Sequence, residues 1–208
     1  MCLPVTLCLL AGGEGRRMGG LDKGLVDWCG APLAQSVLKR MAPQVSQACI
    51  SANRNAQVYA DLWRACTDAP PGAPAPVFAD APDLPRHSGP LAGMLTALRQ
   101  AQADWVQFVP CDSPRLPPDL IARLLAAAIA ADADTVVPQT LDDPDTPRHH
   151  WVCALVHRRA LASLETHFAQ GERKVSRWIG TLSWRSVFFE KSDAFANINN
   201  METPHASR

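Results

Sequence analysis

Five glycines (Gly12, Gly13, Gly15, Gly19, Gly20) and three cations (Arg16, Arg17, Lys23) crowd the stretch from Leu10 to Lys23, Leu-Ala-Gly-Gly-Glu-Gly-Arg-Arg-Met-Gly-Gly-Leu-Asp-Lys. Glycine reaches positive φ and brings backbone N–H groups against a ligand with no Cβ in the way. Cations on the same loop neutralise an anion, and the combination suits a polyphosphate cradle. Two common phosphate loops do not fit. The Walker pattern needs Gly-Lys-Ser/Thr, whereas Lys23 lies between Asp22 and Gly24. The dinucleotide fingerprint Gly-x-Gly-x-x-Gly fails because Gly13-Glu14-Gly15-Arg16-Arg17 runs into Met18.

Three further polar residues each follow a short apolar run: Asn53 after Ala48–Ser51, Asp80 after Val77-Phe78-Ala79, and Asp112 after Trp105–Val109. Asp112, in Val-Pro-Cys-Asp-Ser-Pro, is the best candidate to offer carboxylate oxygen to a triphosphate and its metal. Mg²⁺ takes only one or two protein carboxylates and fills its shell with water and phosphate oxygens. Asn53 carries an amide that both donates and accepts, which suits a base or ribose contact.

The elements that must position these residues alternate between strand and helix. Val5–Leu10 reads as a buried strand, and Leu33, Val37, Leu38 and Met41 mark a helix after Pro32. Helices are predicted at 57–65, 90–101, 120–131, from Arg158 to about Phe168, and at 175–179. Strands are predicted at 135–137, 151–156 and 186–189, with 70–76 as a surface loop and 141–148 as a polar loop. Such alternation predicts a three-layer α/β, Rossmann-like fold with a mostly parallel sheet, in a single domain over residues 1–208. Ligands of parallel sheets bind outside the carboxyl ends of the strands. The glycine stretch, Asn53, Asp80 and Asp112 would therefore meet along one edge.

The pattern Leu-Ala-Gly-Gly-x-x-x-Arg-Met-Gly-Gly-x-Asp-Lys resembles the nucleotidyltransferase signature, and more narrowly that of the molybdenum cofactor guanylyltransferases. Pro110-Cys111-Asp112-Ser113-Pro114, Ser51-Ala52-Asn53-Arg54 and Gly89-Pro90-Leu91-Ala92-Gly93-Met94 resemble further stretches of that family, in the same order. The resemblance implies transfer of GMP from GTP to molybdopterin or its molybdenum-loaded form, with pyrophosphate released. It implies Leu10, Ala11, Gly12, Gly13, Lys23, Asn53, Asp80 and Asp112 as nucleotide contacts, Lys23, Arg17 and Asp112 as catalytic residues, and Asp112 as the ligand of Mg²⁺. It also implies a nucleotide-binding N-terminal half and a pterin-binding C-terminal half, the latter with Lys174, Asn197 and Asn199. Transient contact with molybdopterin-delivering and molybdoenzyme-maturation proteins follows from the same likeness. Two departures fall in the C-terminal half: the family's His-Pro is His150-Trp151 here, and Asn199 continues Asn200-Met201-Glu202 rather than Thr-Pro-Glu. A cytidylyltransferase acting on the same pterin is the nearest alternative, although such relatives more often read Leu-Ala-Ala-Gly at 10–13. A non-catalytic nucleotide-binding chaperone for molybdoenzymes is a further one, opposed by the intact Asp112 and Lys23.

Composition sets the remaining bounds. The 208 residues include 47% apolar residues, enough for a large core, and 20 basic residues balance 20 acidic ones. Such balance announces no nucleic-acid or membrane footprint. Seven scattered cysteines form no C-x-x-C pair, which argues against a zinc ribbon or redox motif. No apolar run approaches the ~18 residues of a membrane span, so a reduced, cytoplasmic protein is expected. His149 and His150 would face opposite sides of a strand, which argues against a metal pair. Asp142, Asp143 and Asp145 read as solvated, and the six tryptophans as packing residues.

Overall fold

The computed structural model describes residues 2–13, 21–66, 76–85, 88–143 and 145–198. Arg16, Arg17 and Asn199 lie outside the described residues. The first strand, β1 (Leu3–Leu10), is buried on both faces: Val5, Leu7 and Leu9 point into one hydrophobic cluster and Cys8 into the other. A strand covered on both sides reads as a continuous apolar run, the signature of an interior parallel sheet. A small hairpin, β2 (Asp27–Trp28) and β3 (Ala31–Pro32), leads to α1 (Leu33–Met41). Then follow β4 (Val45–Ser51), α2 (Ala56–Cys66), β5 (Val77–Phe78), α3 (Pro90–Gln100), β6 (Trp105–Pro110) and α4 (Leu120–Ala131). The chain continues through β7 (Thr135–Asp143), β8 (Thr146–His149), β9 (Leu155–His157), α5 (Leu161–Ala169), α6 (Val175–Ile179) and β10 (Trp184–Phe188).

The main sheet has the order β10-β7-β9-β6-β1-β4-β5, with β8 paired to β7. β4, β1 and β6 are parallel neighbours, as are β10 and β7, whereas β9 runs antiparallel between β6 and β7. Residues of α1, α2 and α4 cover one face, and residues of α3, α5 and α6 the other. The fold is thus α/β in three layers around a mostly parallel sheet, as the alternation predicted. Close packing of α3 depends on Gly93: a Cβ there would stand 2.7 Å from Ser51 Oγ and 3.1 Å from Leu10 Cδ2.

Two segments differ from expectation. The polar loop predicted at 141–148 is largely a hairpin: β7 runs on to Asp143, and β8 returns with Gln139 opposite His149 and Thr140 opposite Arg148. Polar side chains hid it, because a ladder needs only backbone groups, and Pro147 is tolerated where one side of the strand has no partner. The strand predicted at 151–156 is a 3₁₀ turn, Trp151–Cys153, followed by β9. The turn is fixed by Cys153 N–H donating to His150 O at 2.8 Å and His150 N–H donating to Pro138 O at 2.9 Å. Among the described residues no helix is long and apolar enough to cross a membrane.

Candidate active site

β1 and β6 run side by side with Leu10 opposite Pro110, so the segments leaving both strands share one edge. Ala11 N–H donates to Ser51 O at 2.8 Å and Cys111 N–H to Leu10 O at 3.1 Å, which ties the three strand ends together. Beyond them Lys23 Nζ donates to Asp112 Oδ2 at 2.9 Å. Asp112 is only 7% exposed, so its charge acts where water screens little.

Lys23 is held by what surrounds Asp22. Asp22 caps the 3₁₀ helix Lys23–Leu25, accepting from Gly24 N–H at 3.3 Å. Its carboxylate also accepts from Tyr59 Oη at 2.6 Å and from Asn55 Nδ2 at 2.9 Å, with Arg54 Nε at 3.8 Å. Tyr59 is fully buried, and burial, with Cys111 and Asp22 beside it, pushes its hydroxyl far above its ordinary pKa, so it remains a donor. Arg54 donates to the carbonyls of Gly13 and Leu21, at 3.1 and 3.0 Å, bridging the two ends of the glycine stretch. Asp22 and Arg54 stand in the sequence motifs without a role of their own, and Tyr59 has no local signature: Arg54 lines the cleft, and Asp22 and Tyr59 stand behind it.

Further along the edge, Asn53 and Asp80 close a two-bond ring. Asn53 Nδ2 donates to Asp80 Oδ2 at 2.8 Å, and Asp80 N–H donates to Asn53 Oδ1 at 2.8 Å. Burial pushes the Asp80 carboxyl up, and the Asn53 bond opposes that.

On the other side of Asp112 the C-terminal segment is fastened to the same loop. Ile198 N–H donates to Asp112 O at 2.9 Å, and Ser113 Oγ donates to Asn197 Oδ1 at 3.0 Å. Phe195 stacks on His150, with centroids 4.3 Å apart and planes at 17°. Burial, with Arg148 nearby, lowers the His150 imidazole to about 4, and its Nε2 shares a hydrogen bond with Thr140 Oγ1 at 2.9 Å.

Lys23, Arg54, Asn53, Asp80, Asp112, His150, Phe195 and Asn197 border one open cleft of about 1160 Å³. A site for one small molecule holds roughly 300–1,000 Å³, so this cleft has room for a nucleotide and a second substrate. Leu10, Ala11, Gly12, Gly13, Lys23, Asn53, Asp80 and Asp112 all line it, with Asn197 at the far end. Gly89, Pro90 and Gly93 form part of its wall. Lys174 is exposed at the start of α6 and is not among the lining residues. His149, His150 and Trp151, read from sequence as inert or packing residues, are lining residues too. They sit on the β8 hairpin and the turn after it, the segments whose structure the sequence reading misjudged.

A divalent cation fits this edge. Among the described residues no three His, Cys, Asp or Glu side chains gather as a protein-built metal cage. One carboxylate at a strand end is what Mg²⁺ needs when phosphate oxygens and water complete its shell. Cys111 and Cys153 line the cleft but are inert thiols, since burial raises both, Cys153 to about 12.

A mostly parallel sheet whose carboxyl edge presents Gly12, Gly13, a lysine and a buried aspartate suits nucleotidyl transfer, and the chain is an enzyme of the nucleotidyltransferase class. Residues 7–186 match the MobA-like NTP transferase domain, and the chain belongs to that family. It is 40% identical over 198 residues to a molybdenum cofactor guanylyltransferase from Cupriavidus necator, covering 95% of this chain and 93% of that one. A molybdenum cofactor guanylyltransferase from Burkholderia ambifaria is 42% identical over 196 residues, covering 94% and 91%. Among solved structures, molybdopterin-guanine dinucleotide biosynthesis protein A from Archaeoglobus fulgidus superposes with a TM-score of 0.69 at 25% identity, covering 96% of this chain and 93% of that one.

Proposed function

We propose that the protein transfers GMP from GTP to molybdopterin, or to its molybdenum-loaded form, and releases pyrophosphate. The observation that carries this reading is the Lys23–Asp112 pair at 2.9 Å on the rim of a cleft large enough for two substrates. A phosphate oxygen of the acceptor attacks the α-phosphorus of GTP, the new P–O bond forms, and the bond to pyrophosphate breaks. Phosphoryl-type transfer needs positioning and charge neutralisation more than covalent help. Lys23, with Arg17 from the same sequence motif, offsets the charge that develops on the leaving pyrophosphate. Gly12 and Gly13 line the cleft and offer backbone to the phosphates with no Cβ in the way. Asp112 would hold Mg²⁺, which when bound neutralises phosphate charge. The acceptor is already an anion, so no side chain has to remove a proton from it.

The nucleotide is assigned to the side of Asn53, Asp80 and the glycine turn, and the acceptor to the side of Asn197, with Asn199 and Lys174 as further contacts implied by the family pattern. In this reading one catalytic domain spans residues 1–208, its N-terminal half binding nucleotide and its C-terminal half binding pterin. Seven free cysteines suit the reducing cytoplasm, where molybdopterin-delivering and molybdoenzyme-maturation proteins would meet the enzyme transiently. The test is pyrophosphate release by the purified chain with Mg²⁺ and molybdopterin, supplied with GTP or with CTP as sole nucleotide. Turnover with GTP and little with CTP is expected. Preference for CTP would overturn the base assignment, and release from neither would overturn the transfer reading.

A further inference from the structure

The half of the cleft beyond β6 carries a group of rings that the transfer chemistry does not use. His149, at the end of β8, lies 5.0 Å from Trp151 between ring centroids, with planes at 31°. Trp184, at the start of β10, lies 5.3 Å from His149 at 83° and 5.1 Å from Trp151 at 60°. Each ring therefore braces the other two. His149 and Trp151 line the cleft, whereas Trp184 does not and packs with Trp151 against the core under α3 and α5. All three are only half-buried. Rings needed for core packing alone would be covered, as Trp178 is. Aromatic faces kept open on a cleft wall are a surface for a flat ligand.

Charge decides which ligand. The groups suited to phosphates, Lys23 and Gly12-Gly13 with Arg54 bonded to the Gly13 carbonyl, stand after β1 and β4. The ring group stands after β8, on the opposite side of Asp112. There His150 is neutral at working pH, because burial lowers it to about 4. Arg148 is the single cation among the described lining residues of that half, held by an exposed bond to Asp142 at 3.3 Å. Exposed pairs of this kind are weak, so a ligand competes for the guanidinium readily. A neutral, planar heteroaromatic ring with polar edge groups fits this wall, and a triphosphate does not.

We propose that His149 and Trp151 form a stacking wall for the pterin ring system of the acceptor, with Trp184 holding both rings in place and Arg148 reaching the polar edge of the ligand. The proposal rests on the acceptor reading above. Trp151 stands where the family pattern has proline, so the ring contact is a property of this chain.

The test is equilibrium binding by the full chain, with 6-hydroxymethylpterin phosphate as probe and pterin emission, quenched by stacking on indole, as readout. GTP affinity is measured in parallel by calorimetry. Stacking on an aromatic side chain is lost on truncation to alanine at a cost equivalent to roughly 5- to 100-fold in affinity. Trp151→Ala is expected to weaken pterin binding by at least about fivefold and abolish the quenching, and Trp151→Phe to restore most of the affinity. GTP binding should stay within about twofold, which also reports a folded protein. Wild-type pterin affinity in Trp151→Ala, an equal fall in GTP affinity, or no pterin binding by the wild-type chain would each overturn the proposal. Quenching by the wild-type chain without pyrophosphate release from GTP and molybdopterin would sink the transfer reading and leave the stacking wall standing.

Discussion

Lys23 Nζ and Asp112 Oδ2 sit 2.9 Å apart although 89 residues separate them in the chain. The parallel register of β1 and β6 makes them neighbours, since both loops leave the sheet at Leu10 and Pro110. The ammonium and the carboxylate thus offset each other's charge at the edge of the sheet.

Removing either member should cost activity in a non-additive way. A charge-assisted hydrogen bond contributes about 1.5–3 kcal/mol, which converts to a tenfold or greater rate loss. Lys23→Ala and Asp112→Asn should each slow pyrophosphate release by at least about tenfold. The double variant should fall short of the product of the two losses, because the residues share a contact. A wild-type rate in Asp112→Asn would remove that carboxylate from the reaction.

Gly24 is a sensitive position behind the site. A Cβ there would stand 2.3 Å from Tyr59 Oη, the group that donates to Asp22. Overpacking of this kind costs about 1–3 kcal/mol. Gly24→Ala should therefore lower Tm by several degrees and raise the KM for nucleotide, as the Asp22 cap shifts Lys23. Adding Tyr59→Phe removes the clashing oxygen and should recover part of the Tm but not the KM. Calorimetry and steady-state kinetics on the two variants check this, and an unchanged Tm in Gly24→Ala would refute the contact.

His150 sets an acid limit on stability. Its folded pKa is depressed to about 4 by burial, from an ordinary 6.5. The unfolded chain thus binds a proton that the folded chain refuses between those values, and stability falls as pH drops from about 6.5 to 4. With the ring still partly in contact with solvent, the contribution is about 1–2 kcal/mol. Chemical denaturation of wild type and His150→Gln across this range should show a shallower slope for the variant. Parallel slopes would contradict the neutral, buried imidazole.

The Ser113–Asn197 bond ties the loop after β6 to the C-terminal segment. Ser113→Ala and Asn197→Ala each break the same 3.0 Å bond. Both should raise the KM for molybdopterin about three- to tenfold, near the ~1 kcal/mol of an ordinary hydrogen bond, with the KM for GTP unchanged. The double variant should be little worse than Asn197→Ala. Additive losses would mean that the two residues act separately.

Much of this edge was legible because chemistry and strand ends coincide in the sequence. The glycine stretch, Asn53, Asp80 and Asp112 each follow an apolar run, and parallel strands deliver such residues to one side. Local periodicity located α1 and α4 closely, because each buries one stripe; α3 was located too, although every residue from Leu91 to Leu98 is buried. The β8 side of the cleft was harder. Thr146–His149 is polar and contains a proline, so its strand pairing has no local signature, and the ring contacts of Trp151 join residues from separate elements.

Residue types and spacing by themselves determined the layered α/β fold and picked out the glycine stretch, Lys23 and the candidate aspartates, since burial periodicity and backbone freedom are local properties of the chain. Tertiary structure alone decided that Asp22 answers to Tyr59, that Asn53 closes on Asp80, and that His149, Trp151 and Trp184 form one ring cluster. Those contacts depend on strand order and register across the sheet, and no stretch of sequence carries that information by itself.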